Sequence, residues 1–141
     1  MDAERDEVLL LDTSAAIALV VEDHEAHTAT IKAVRDRRLG LAGHAWFETY
    51  SVLTRLPGAL RRSPTDVASL LAHDFPASAY LTEEAATGLG PELARLGVSG
   101  GAVYDALVAA AARQHDRPLV SGDVRARSVY EALGVRVRMV G

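Results

Sequence analysis

Val8-Leu9-Leu10-Leu11-Asp12-Thr13-Ser14 is the stretch that decides the fold. Four consecutive apolar residues without alternation fit a strand buried on both faces, as in a parallel sheet covered by helices. Asp12-Thr13-Ser14 then supplies helix-capping side chains ahead of an apolar segment over residues 15–21. A buried strand that ends on a carboxylate and turns at once into a helix opens an α/β domain. It also sets the acid at the carboxyl edge of the sheet, where such folds bind ligands.

The same alternation continues outward. Ala26, Ile31 and Val34 predict a helix over residues 24–38, followed by a strand over 39–42 and a turn at Gly43. Trp46, Tyr50 and Leu53 fall at helical spacing within 45–56, and Pro57-Gly58 stops that helix. Ser63-Pro64-Thr65-Asp66 starts another, with Val67, Leu70 and Leu71 as its buried stripe. Residues 77–81 predict a third strand. A helix follows over 83–96, with Pro91 the point at which it can split. Ser99-Gly100-Gly101 opens a helix to about residue 115, 118–120 is a fourth strand, 124–133 a helix ended by Gly134, and 135–137 a fifth strand. No repeat or linker interrupts the 141 residues. The expected fold is α/β: a single three-layer α/β/α domain spanning 1–141, with a central, mainly parallel five-stranded sheet.

Four acids stand out on that frame: Asp12, Glu48, Asp105 and Asp123 each follow a strand-like run or lie near the start of a helix-like one. Each alone has a plain structural explanation. Asp12 can be an N-cap, Glu48 can complement a helix dipole, and Asp123, in Ser121-Gly122-Asp123, can shape a turn. Asp105 is the most telling, because Gly101, Ala102, Val108 and Ala109 at helical spacing around it are all small or apolar. A carboxylate there needs an arginine partner or a metal. Together at one sheet edge the four repel unless a cation holds them. Oxygen ligands without cysteine suit Mg²⁺ or Mn²⁺, which can activate water for attack on a phosphodiester.

Composition narrows the alternatives. With no cysteine, thiolate metal sites, disulfides and thiol nucleophiles are excluded. A net charge of −4 argues against coating nucleic acid by bulk attraction. The positive charge is nearly all arginine, clustered at Arg35, Arg37 and Arg38, at Arg55, Arg61 and Arg62, and at Arg125, Arg127, Arg136 and Arg138. Such clusters serve either phosphate contacts or a solvated face. His24 and His27 lack a third ligand at readable spacing, the glycines match no phosphate loop, and Ser14 sits in no nucleophile elbow. The first seven residues are acidic and carry no signal-peptide pattern. The apolar run over 8–21 is broken by Asp12 and shorter than the roughly 18 residues of a membrane span, so a cytoplasmic location is expected.

The ordered set of motifs resembles PIN-domain ribonucleases, particularly VapC-type toxins of bacterial toxin–antitoxin pairs. The resemblance rests on Val8 through Ala15, on Glu48 early in the third helix, and on Val103-Tyr104-Asp105-Ala106-Leu107-Val108-Ala109. Leu119-Val120-Ser121-Gly122-Asp123 and the following Tyr130-Glu131-Ala132-Leu133-Gly134-Val135 complete it. It implies an endoribonuclease dependent on Mg²⁺ or Mn²⁺, with Asp12, Glu48, Asp105 and Asp123 as catalytic and metal-holding acids. Thr13, Ser14 and Ser121 are implied to order the carboxylates or the phosphate, although the family commonly has threonine where Ser121 stands. It further implies an RNA substrate, a homodimer, and a cognate antitoxin that blocks the acidic groove, to which Trp46, Phe47 and Leu56 can offer apolar surface. Two other readings stay open: a catalytically inactive binding module of the same fold, and a small α/β phosphatase using Asp12 as nucleophile. Against the phosphatase, Ser14 stands where such enzymes generally carry a second aspartate.

Overall fold

The computed structural model describes residues 6–141; the acidic stretch 1–5 lies outside the described residues. The central strand β1, Val8–Leu11, is fully buried. Its side chains alternate between two cores, Val8 and Leu10 facing one and Leu9 and Leu11 the other. On one side β1 pairs with β2, Arg38–Leu41, and on the other with β3, Leu119–Ser121, which pairs in turn with β4, Val137–Met139. All three pairings are parallel.

Helices cover both faces. The Leu9/Leu11 side packs against α1, Thr13–Val20, α2, His27–Val34, α3, His44–Thr54, and α4, Pro64–Asp74. The Val8/Leu10 side packs against α5, Glu83–Leu96, α6, Ala102–Gln114, and α7, Arg127–Ala132. A 3₁₀ turn, Gly58–Leu60, bridges α3 and α4. The three-layer α/β/α expectation holds.

The strand expected at 77–81 is reduced to a single parallel bridge between Ala79 and Ala42. Ala77 and Ala79 donate to Leu39 and Leu41 carbonyls, and Gly43 donates to Ala79, as in a parallel ladder. The Leu41 N–H, however, bonds the Ser78 hydroxyl instead of a backbone carbonyl, which breaks the ladder after one rung. The sheet therefore has four strands and a fifth, side-chain-interrupted edge. Gly40 makes this edge possible, since a Cβ on it would lie 2.3 Å from the Ala77 carbonyl group. The helix expected over 83–96 forms with those bounds, and Pro91 does not split it. Leu89, Leu93 and Leu96 dock α5 on the core, and Glu92 holds Arg113 of α6 through two 2.8 Å bonds. Packing outweighs the missing N–H. The helix expected over 24–38 is confined to His27–Val34, because residues 21–26 turn through backbone bonds and His24 Nδ1 accepts from Ala26 N.

β1 is the switch point of the sheet: the chain leaves it toward β2 and returns on its other side as β3. Ligand crevices of open α/β sheets lie at such points, outside the carboxyl ends of the strands.

Candidate active site

Asp12 follows β1 directly and caps α1. Its Oδ1 accepts from Ala15 N at 3.0 Å and from the Ser14 hydroxyl at 2.6 Å. Its Oδ2 accepts from the Ser121 hydroxyl at 2.5 Å and from the Tyr130 phenol at 2.8 Å. Asp12 is thus both the N-cap and a buried site residue, 3% exposed and fixed by four donors. Ser14 also accepts from Gly122 N, and Ser121 from Asp123 N, so the same hydroxyls lace the ends of β1 and β3 together.

Asp123 lies just beyond β3. Its Oδ1 accepts from Arg125 N and Ala126 N, and its Oδ2 pairs with the Arg125 guanidinium at 3.2 Å. The turn role open from sequence is therefore real. Glu48 occupies the second turn of α3, 3.4 Å from His44 Nε2. Asp105 stands in the first turn of α6, where it borders the buried face that Val108 and Ala109 occupy; among the described residues it accepts no hydrogen bond. Partial burial raises the proton affinity of both. For Glu48, His44 works against that rise, Asp105 and Asp12 add to it, and Thr13 opposes it. For Asp105, Arg125 opposes it while Asp123 and Asp12 add to it.

All four acids, with Thr13, Ser14, Arg125 and Tyr130, line one small pocket of about 90 Å³. It opens into a groove of about 560 Å³ that shares Glu48, Asp105 and Arg125 with it and adds His44 and Tyr104. The side chains are not drawn into a coordination shell: among the described residues no three carboxylate or imidazole groups converge closely enough to grip an ion. The donors nevertheless suit a hard divalent cation. They are oxygen-only and mutually repelling, and the unbonded Asp105 carboxylate is partly desolvated.

The residue that sequence reasoning missed is Tyr130. It is 2% exposed, and burial followed by the Asp12 carboxylate pushes its phenol far above the ordinary value, so it remains a hydrogen-bond donor. A tyrosine at helical spacing from Ala126 and Leu133 reads as core, yet a buried phenol needs a partner, and that need was the available signal. Of the last arginine cluster only Arg125 reaches the pocket. Arg127, Arg136 and Arg138 pair with Glu131, Asp116 and Glu7 on the surface. Trp46 packs against the second core and stacks on Tyr50, whereas Phe47 is exposed.

The PIN domain family matches residues 9–132, a span that holds all four acids, β2, β3 and all of β1 but Val8. The chain belongs to the PIN domain family. Ribonuclease VapC27 of Mycobacterium tuberculosis is 48% identical over 129 residues, covering 92% of this chain and 94% of that protein. Ribonuclease VapC40 of the same organism is 44% identical over 131 residues, covering 92% and 96%. The fold is also that of VapBC2 from Rickettsia felis bound to a promoter DNA fragment, with TM-score 0.66, 10% identity, and 94% and 98% of the two chains covered. DNA-bound VapBC from Salmonella typhimurium gives TM-score 0.62 at 18% identity, covering 95% and 98%. Among the described residues no helix is long and apolar enough to cross a membrane.

Proposed function

We propose that this PIN domain is a metal-dependent endoribonuclease, the toxin of a toxin–antitoxin pair, acting in the cytoplasm. The observation that carries the reading is the convergence of Asp12, Glu48, Asp105 and Asp123 on one pocket at the switch point of the sheet. Ribonuclease names on relatives 44–48% identical over nearly the whole chain support the activity. The VapBC assemblies that share the fold support an antitoxin partner covering the groove. A homodimer is part of the proposal.

Asp12, Asp105, Glu48 and Asp123 would hold Mg²⁺ or Mn²⁺. When bound, such an ion offsets the charge of the scissile phosphate and makes water a stronger nucleophile at neutral pH. Asp12 is the fixed member, because Ser14, Ser121 and Tyr130 hold its orientation. Asp12 and Asp105 would be the main ligands, with Glu48 and Asp123 holding a second ion or the attacking water. That water gives up its proton to solvent in the open groove as its oxygen adds to phosphorus. The P–O bond to the leaving ribose oxygen then breaks, and that oxygen takes up a proton. Arg125, exposed at the rim, supplies positive charge toward the phosphate.

The test is incubation of a total RNA pool with purified protein in Mg²⁺, in Mn²⁺ and in chelator, beside Asp105→Asn. Discrete fragments that need metal and vanish in the variant are expected. Identical RNA patterns from the two proteins would sink the nuclease assignment.

A further inference from the structure

The groove beside the acidic pocket carries a pair of aromatic rings, one of which, His44, also lies 3.4 Å from Glu48. His44 of α3 and Tyr104 of α6 stack face to face, with ring centroids 5.0 Å apart and planes 24° from parallel. Tyr104 is 53% exposed, so this pair is not core packing. Both rings line the 560 Å³ groove, whose rim also holds Arg125 and which shares Glu48 and Asp105 with the pocket. Tyr104 and Asp105 are consecutive on α6, and His44 and Glu48 are one helical turn apart on α3. Each ring is thus paired with one of the acids.

The mouth of the groove is kept open by backbone without side chains. Gly101 lines it, and an added Cβ there would meet nothing within 4 Å. An exposed aromatic face, a neighbouring guanidinium and open space beside it are what an unpaired nucleotide requires: a π surface for its base and a positive charge for its phosphate.

We propose that the His44–Tyr104 pair is a nucleobase subsite that stacks an unpaired base of the RNA next to the scissile phosphate. The inference rests on the ribonuclease reading and adds to it the pair of rings that seats a base beside the cut. Tyr104 supplies the stacking face, His44 backs it, and Gly101 leaves room for the base. The groove thereby selects RNA whose bases are splayed at the cut, and paired RNA is excluded because its bases face one another.

The experiment compares wild type with Tyr104→Ala, Tyr104→Phe and Gly101→Leu, none of which alters an acid of the pocket. Kinetics are read on a single-stranded oligoribonucleotide spanning a mapped cut and on the same strand annealed to its complement. Binding is read separately from the fluorescence of 2-aminopurine beside the cut, with each groove change also placed in the Asp105→Asn background. Loss of the ring should raise KM about tenfold or more, with kcat changed far less. Gly101→Leu should raise KM similarly by filling the groove, and Tyr104→Phe should behave as wild type. In the Asp105→Asn protein the fluorescence should be quenched on binding, and adding Tyr104→Ala should remove the quench.

Unchanged KM and quench in both Tyr104→Ala and Gly101→Leu would overturn the subsite, as would equal cutting of paired and unpaired strands. Weaker antitoxin binding with unchanged RNA kinetics would assign the rings to the protein partner instead and overturn it too. If wild type cuts no RNA, the ribonuclease reading fails by itself, and the 2-aminopurine titration still decides whether the groove takes an unpaired base.

Discussion

Replacing Tyr130 by phenylalanine removes one oxygen atom and leaves the ring in its core position. That oxygen donates at 2.8 Å to Asp12 Oδ2, in a site where Tyr130 is 2% and Asp12 3% exposed. Water cannot easily replace the lost donor, so the carboxylate keeps only the Ser121 hydroxyl on that oxygen. A hydrogen bond to a charged group is worth about 1.5–3 kcal/mol, and the ring still fills its space, so no cavity term adds to the loss. For a domain of this size the melting temperature should fall by roughly 5–10 °C. Thermal melting reads that fall, and urea denaturation of wild type, Tyr130→Phe, Ser121→Ala and the double variant reads the free energies. The two donors share one acceptor oxygen, so their effects should couple by about 0.5 kcal/mol or more. A Tyr130→Phe protein within about 0.5 kcal/mol of wild type, with the double variant additive, would refute the view that Asp12 depends on this phenol.

Asp105→Asn should abolish RNA cleavage while leaving thermal stability equal or higher, because it removes a carboxylate that Asp123 and Asp12 repel; unfolding on substitution would make the residue structural. Glu48 and Asp105 bind protons more readily folded than unfolded, so their penalty is full at neutral pH and is relieved as pH falls toward their ordinary values of 4.5 and 3.8. Metal-free wild type should therefore gain stability relative to Glu48→Gln/Asp105→Asn as pH is lowered from about 7 to about 4 in paired melting curves; a gap constant with pH would contradict the shifts. Gly40→Ala should cost about 1–3 kcal/mol or more by urea denaturation, because its Cβ meets the Ala77 backbone at 2.3 Å. A neutral result would mean that the 77–79 edge moves freely.

The layers of this domain were readable because β1, β2 and β3 announce themselves as apolar runs and the helices by their stripes. What escaped depended on groups meeting across the chain. Ser78 reads as an ordinary strand residue until its hydroxyl is found on Leu41 N. The helix over 83–96 was legible despite Pro91, but not the docking of Leu89 and Leu93 that keeps it whole. The four acids were individually ambiguous, and two of the plain structural readings hold while all four line one pocket: Asp12 caps a helix and Asp123 shapes a turn. Position at the sheet edge was legible; the hydroxyl network that orients Asp12 was not, since Tyr130 lies 118 residues from it.

That separation has a consequence for the chain as it is made on the ribosome. β1 is among the first segments to emerge, yet its Leu10 and Leu11 wait for Leu119 and Val120, and Asp12 waits for Ser121 and Tyr130. Until roughly the last fifth of the polypeptide is out, the central strand has one open edge and its key carboxylate lacks two of its four donors. The donors that orient Asp12 thus come together only once the late segments of the chain have been made, and synthesis itself sets the moment at which this pocket can close on its full set of partners.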